Sequence, residues 1–174
     1  MKSKTPKESY AISTHLVLPN ETNLLGNLMG GRLLHWMDIT AAIAAHRHSQ
    51  RVVVTASVNH VSFEKAIRLG DYVTIEAKVS RAFNTSMEVF IDVTVETGFT
   101  GERIKSNDAT YVFVAVDQVG KPIEIPQLTP ETDLEKERYN AALQRRQLSL
   151  LLSGKINPDD APELRDLFMS KKQK

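Results

Sequence analysis

One acid stands in an otherwise apolar run. Of the thirteen residues from Leu33 to Ala45, ten are apolar, and Asp38 lies among them. On a helix, Leu34, Ala41, Ala42 and Ala45 share its face, so the carboxylate would sit among small apolar groups. A charge placed there must be paired, protonated or used, because unpaired burial is costly. A structural carboxylate that holds a neighbouring loop would satisfy the same constraint. Ahead of it runs the stretch Asn23-Leu-Leu-Gly26-Asn27-Leu-Met-Gly30-Gly31. Gly30 and Gly31 would open the helix, where free N–H groups and the positive end of the dipole can hold a developing oxyanion. Glycine admits the close approach of a ligand carbonyl, although paired glycines at a helix entry also serve tight packing. Gly30 and Asp38 are separated by about 12 Å of helix rise. That is too far for one small site in one chain, and a second protomer or a bent ligand would relieve the misfit.

Other chemistries fail on their residues. Gly26-x-x-x-x-Gly31-Arg32-Leu33 has phosphate-loop spacing, but Arg replaces the lysine that reaches the phosphates and Leu33 replaces the hydroxyl that ligates magnesium. No Gly-x-Ser-x-Gly elbow exists. His46 and His48, at i and i+2, face different sides of a helix and make a poor metal pair. His15 and His60 are isolated in strand-like segments, and His35 precedes Asp38 by three and could touch it. No metal site is expected. With no cysteine, disulfides and thiolate nucleophiles are excluded.

The elements that must position these groups follow from the rest of the chain. Its 174 residues suffice for one domain with a core and an appended element. A net charge of +1 gives no reason to expect a nucleic-acid or anionic-membrane partner. The polar start, Met1 to Tyr10, lacks the apolar core of a signal peptide, and no apolar run is long enough to span a bilayer. A cytoplasmic protein without membrane insertion is the expectation.

Ala11–Leu18 reads as a strand closed by Pro19-Asn20, and Gly30 to His48 as a helix. The helix is apolar on nearly all sides and should be central. Arg51–Phe63 is rich in Val and Thr without clean alternation, which fits a strand covered on both faces or lying at an interface. Tyr72–Val79 alternates, with Val73, Ile75, Ala77 and Val79 one way. Ser86–Glu96 sends Met87, Val89, Ile91, Val93 and Val95 inward, and Ala109–Val116 is almost continuously apolar. Short turns between these strands favour antiparallel neighbours, hence an α+β sheet curled around the helix. Pro122, Pro126 and Pro130 punctuate a linker. A charged helix over Glu131–Leu152 follows, with Leu134, Ala141, Leu148 and Leu152 on one stripe, then a short helix over Asp159–Met169 and a basic tail, Lys171–Lys174.

Leu18-Pro19-Asn20-Glu-Thr-Asn23-Leu-Leu-Gly26-Asn27-Leu-Met-Gly30-Gly31, followed by Trp36-Met37-Asp38, resembles the signature of the hotdog-fold acyl-CoA thioesterases. Val54-Thr55-Ala56-Ser57-Val58 and Leu69-Gly70-Asp71-Tyr-Val73 resemble that family's following strands, so the likeness covers about residues 11–120. One departure is Ala66, where many relatives have proline. The resemblance implies a hotdog fold, an antiparallel sheet wrapped around a long central helix, over 10–123, with a C-terminal helical extension over 124–174. It implies hydrolysis of fatty acyl-CoA to free acid and coenzyme A, with Asp38 as general base or nucleophile and Asn23 supplied by the adjacent subunit. Backbone N–H groups at Gly30 and Gly31 would polarise the thioester carbonyl. Pantetheine would run along the Val54–Val58 strand, making Thr55 and Ser57 contacts, and Arg81, Asn84 and Ser86 would meet the nucleotide. No cofactor is implied beyond the coenzyme A of substrate and product. The partner implied is a second copy, a homodimer that builds the site, assembled as a trimer of dimers. A non-catalytic acyl-CoA sensor and a hotdog enoyl-CoA hydratase are the competing functions, the second usually wanting an Asp/His pair.

Overall fold

The computed structural model describes residues 1–59, 61 and 65–170. His60, Phe63 and the basic tail therefore lie outside the described residues. The chain divides into two compact units, 1–129 and 130–174.

In the first unit, α1 (Pro6–Ser9) leads into β1 (Ala11–Leu16) and then α2 (Gly30–Ser49). β2 (Val52–Asn59), β3 (Tyr72–Ala82), β4 (Ser86–Glu96) and β5 (Arg103–Val116) complete one antiparallel sheet in the order β1-β3-β4-β5-β2. The curled sheet carries the long helix on its inner face, the hotdog arrangement. Alternation drives it. Val73, Ile75, Ala77 and Val79 of β3, and Met87, Val89, Ile91, Val93 and Val95 of β4, are all buried. Each larger inward side chain contributes roughly 1.5–3 kcal/mol of transfer free energy. On α2, Leu33, Met37, Ala41, Ala44 and Ala45 form the buried face, and the alanines let the sheet approach closely. The helix stops where Gln50 adopts a left-handed backbone (φ 54°), its N–H bonding His46 O.

The helix is less enclosed than its composition suggests. Ile39 and Ile43 remain 48% and 44% exposed, on a stripe with Gly31, His35 and His46. β1 ends at Leu16 rather than Leu18, because Leu18 leads into a tight 3-10 turn at Pro19–Glu21. The Val17 N–H bonds Asp71 O instead. β5 begins six residues earlier than its apolar core. Polar Arg103–Asp108 is held in register by Arg103–Glu96 and by Lys105 between Asp92 and Asp108. β2 ends at Asn59.

Residues 123–129 belong to the first unit and are bonded to the rest of it. Ile123 N–H reaches Ala115 O, Ile125 N–H reaches Asn84 O, and Lys4 N–H reaches Gln127 O. His48, fully buried, places Nε2 2.8 Å from Pro126 O. That bond makes Nε2 the protonated nitrogen and leaves Nδ1 buried without a partner among the described residues. In the second unit, α3 (Asp133–Leu152) opens with a capping box from Thr132 and Glu135, and α4 is Pro162–Ser170. The expected α3 stripe is not its buried face. Leu134, Leu148 and Leu152 are exposed, while Ala142 and Gln147 are buried. Gln147 caps the following helix instead, its Oε1 accepting Leu164 N–H at 3.0 Å.

Candidate active site

Asp38 is half-buried on α2, and Thr55 on β2 donates its hydroxyl to Asp38 Oδ1 at 2.8 Å. The sheet brings Thr55 there. Thr55 pairs with Phe113 on the inner face of β5, whereas Ser57 pairs with Val112 on the outer face. A β-bulge between them inserts Ala56 and shifts the strand's alternation by one. Thr55 and Val58 consequently share the helix-facing side, while Ser57 points outward and takes a bond from Asn59 Nδ2 at 3.2 Å. His35 is exposed and makes no hydrogen bond to Asp38 among the described residues.

Tyr111 completes this corner. It is buried on β5 opposite Val58, and its hydroxyl donates to Leu34 O at 3.2 Å. Burial, and then the charge of Asp38, push its phenol up to about 12. Its signal in the sequence was weak, a single hydroxyl within an apolar strand.

A second cluster forms at the start of α2. Asn23, Asn27, Gly30 and Lys65, with Leu28, Leu33, Ala66 and Ile67, line a cavity of about 340 Å³. Asn23 Oδ1 is committed to its own turn, accepting Leu25 N–H at 2.9 Å and Asn27 N–H at 3.2 Å. Its Nδ2 has no partner among the described residues, so the side chain presents a donor. Gly31 is exposed, and a Cβ there would meet nothing within 4 Å, so packing does not demand glycine at that position. The structure thus joins Thr55 to Asp38 and Asn23 to Gly30, but leaves two turns of helix between the pairs.

The expected nucleotide contacts lie elsewhere. Arg81, Asn84 and Ser86 belong to the β3–β4 hairpin, closed by Phe83 N–H to Ser86 O at 2.8 Å. The Arg81 guanidinium stands 5.7 Å above the Phe83 ring. Ser86 pairs with Val114, which pairs with Val54, so the hairpin lies two strand spacings from β2, roughly 10 Å. Within one chain these residues are not gathered against Asp38. Among the described residues no group of three or more His, Asp or Glu could hold a metal ion, and no helix is long and apolar enough to cross a membrane.

The thioesterase superfamily model matches residues 25–101, the stretch from the Asn23–Gly31 loop through β4. The chain is 42% identical over 139 residues to the uncharacterised acyl-CoA thioester hydrolase YkhA of Bacillus subtilis, covering 80% of this chain and 81% of that one. It is 38% identical over 135 residues to the cytosolic acyl coenzyme A thioester hydrolase of Rattus norvegicus, covering 75% of this chain. It spans only 35% of that longer enzyme. The acyl-CoA hydrolase of Staphylococcus aureus, solved with butyryl coenzyme A and coenzyme A, superposes with a TM-score of 0.80 at 35% identity, covering 87% of this chain and 94% of that one. That enzyme has also been solved as alanine variants of an asparagine, of an aspartate 15 residues later and of a threonine 17 residues after that. The chain belongs to the thioesterase superfamily and, within it, to the hotdog-fold acyl-CoA thioester hydrolases.

Proposed function

We propose that this chain hydrolyses the thioester of fatty acyl-CoA, with Asp38 as general base, Thr55 fixing its Oδ1 and Asn23 contributed by a second copy. The bond from Thr55 to Asp38 carries the reading, because it leaves Oδ2 as the atom available to take a proton from water. The Staphylococcus variants support it: Asn23, Asp38 and Thr55 repeat their 15- and 17-residue spacings. Water would attack the thioester carbonyl as Asp38 takes its proton, and N–H groups at Gly30 and Gly31 of the copy that supplies Asn23 would hold the oxyanion. Collapse would break the carbon–sulfur bond, and the proton on Asp38 would pass to the departing coenzyme A thiolate. Asn23 would donate through Nδ2 to a substrate oxygen or to the attacking water. Coenzyme A enters and leaves as part of substrate and product, so the reaction uses no separate cofactor.

The separation of the two clusters supports the second copy. β2 is the sheet's edge, with Val58 exposed on its helix-facing side, where Ile39 and Ile43 of α2 are exposed too, and with Val52 and Val54 exposed on the other side. An open apolar edge strand calls for a cover. A homodimer burying this face would supply Asn23 to the neighbour's Asp38. Assembly of three such dimers is supported by a neighbour solved as an apo-hexameric acyl-CoA thioesterase, 39% identical with a TM-score of 0.81. The name of the rat relative supports a cytosolic location.

Thiol release from an acyl-CoA panel tests the reading. Wild type should hydrolyse at least one chain length, and Asp38→Ala and Asn23→Ala should each lose most of that activity. Binding of acyl-CoA without thiol release at any length would favour the sensor. Full activity of Asp38→Ala would sink the site. Single turnover in ¹⁸O-water should leave the Asp38 carboxylate unlabelled; label there would replace the base role with direct attack through a mixed anhydride.

A further inference from the structure

We propose that Tyr111 is a positioning residue for Asp38, its hydroxyl pinning to β5 the turn of α2 that carries the carboxylate. The proposal rests on the general-base reading of Asp38. The Tyr111 hydroxyl donates to the carbonyl of Leu34, four residues before Asp38. In an α-helix that same carbonyl accepts the backbone N–H of Asp38. Leu34 O therefore has a partner without Tyr111, and the phenol is not needed to satisfy the backbone. Packing does not need it either, since the ring, 1% exposed and stacked at 6.4 Å on Phe113, would fill its place equally well as phenylalanine. The bond's gain in stability is no more than that of one ordinary neutral hydrogen bond.

Its location gives it a use. Tyr111 lies opposite Val58 and, across the bulge, next to the row in which Phe113 faces Thr55. Asp38 is thus fixed at two points by adjacent strands: its helical turn through Leu34 O from β5, its Oδ1 through Thr55 from β2. One bond alone would let the carboxylate pivot, and two fix its distance and angle to an attacking water. The raised phenol keeps Tyr111 a neutral donor at any working pH, so the anchor does not titrate away.

The test is Tyr111→Phe in the full-length protein. Displacing a reacting group by about 1 Å can cost two orders of magnitude, so kcat should fall by about tenfold or more while KM stays within about twofold. Tyr111→Phe should cause no further loss when Asp38→Asn is already present. Val89→Ala serves as the control, since Val89 is the buried neighbour of Tyr111 on β4 and its side chain has no group that could bond the hydroxyl. It should lower the melting temperature at least as much yet keep kcat. Wild-type kcat in a folded Tyr111→Phe protein overturns the proposal. So does equal loss of kcat in Val89→Ala, or the same fold-loss from Tyr111→Phe with and without Asp38. Full activity of Asp38→Asn alone would instead overturn the general-base reading.

Discussion

Thr55 and Asp38 meet at 2.8 Å, joining an edge strand to the central helix through one hydroxyl and one carboxylate oxygen. The bond is solvent-exposed, so it adds little to folding, and its use is to fix the carboxylate for the reaction. Thr55→Val keeps the shape and removes the donor, so kcat should fall by roughly ten- to a hundredfold with little change in melting temperature. Steady-state thiol release beside a thermal melt would show it. A variant with unchanged kcat would reduce the bond to a structural contact.

Asn23 and Asp38 should complement each other between chains. Asn23→Ala and Asp38→Ala protomers, each nearly inactive, should regain about a quarter of wild-type activity when unfolded together at equal amounts and refolded, because half the dimers would carry one intact site of two. No recovery in demonstrably mixed dimers would place both residues in one chain's site.

Two glycines should separate stability from function. A Cβ on Gly98 would stand 2.0 Å from the carbonyl oxygen of Gly70, so Gly98→Ala must move backbone and should cost about 1–3 kcal/mol. A Cβ on Gly31 would meet nothing. Gly31→Ala should leave the melting temperature unchanged or higher, yet lower kcat/KM by crowding the approach of the thioester. Calorimetry and thiol release on the two variants make the comparison.

His48 should make the fold acid-sensitive. Burial holds its pKa below the ordinary 6.5, with a weaker opposing effect of the bond to Pro126 O; Lys4 adds to the lowering and Glu8 opposes it. The unfolded chain then binds a proton more readily than the folded one. The stability His48 contributes is complete above 6.5 and lost as pH falls from there toward its folded pKa. The melting temperature of the wild type should fall over that window, and His48→Gln should flatten the fall. An equally steep fall in the variant would assign the sensitivity to other groups.

Much of the frame was legible because burial writes a simple pattern. β4 spans Ser86–Glu96 as its alternation implies, and all five inward residues are buried. The polar half of β5 was not legible, since Arg103 and Lys105 meet Glu96 and Asp92 across the strands in ion pairs that no single-strand periodicity records. The α3 stripe misled for a related reason, because spacing shows which leucines share a face but not whether that face is covered. Asp38 stood out through its apolar neighbours. The bond from Thr55 and the nearby Tyr111 do not stand out, because a bulge and the pairing of β2 with β5 bring them to the carboxylate.

The single extra residue at Ala56 divides β2 into two independently phased halves. Deleting it would restore unbroken alternation, and either Thr55 or Val58 would then turn to the opposite side of the sheet. A one-residue deletion on this strand is therefore a sharper lesion than most substitutions. Natural variation in its length should be suppressed even where its side chains drift.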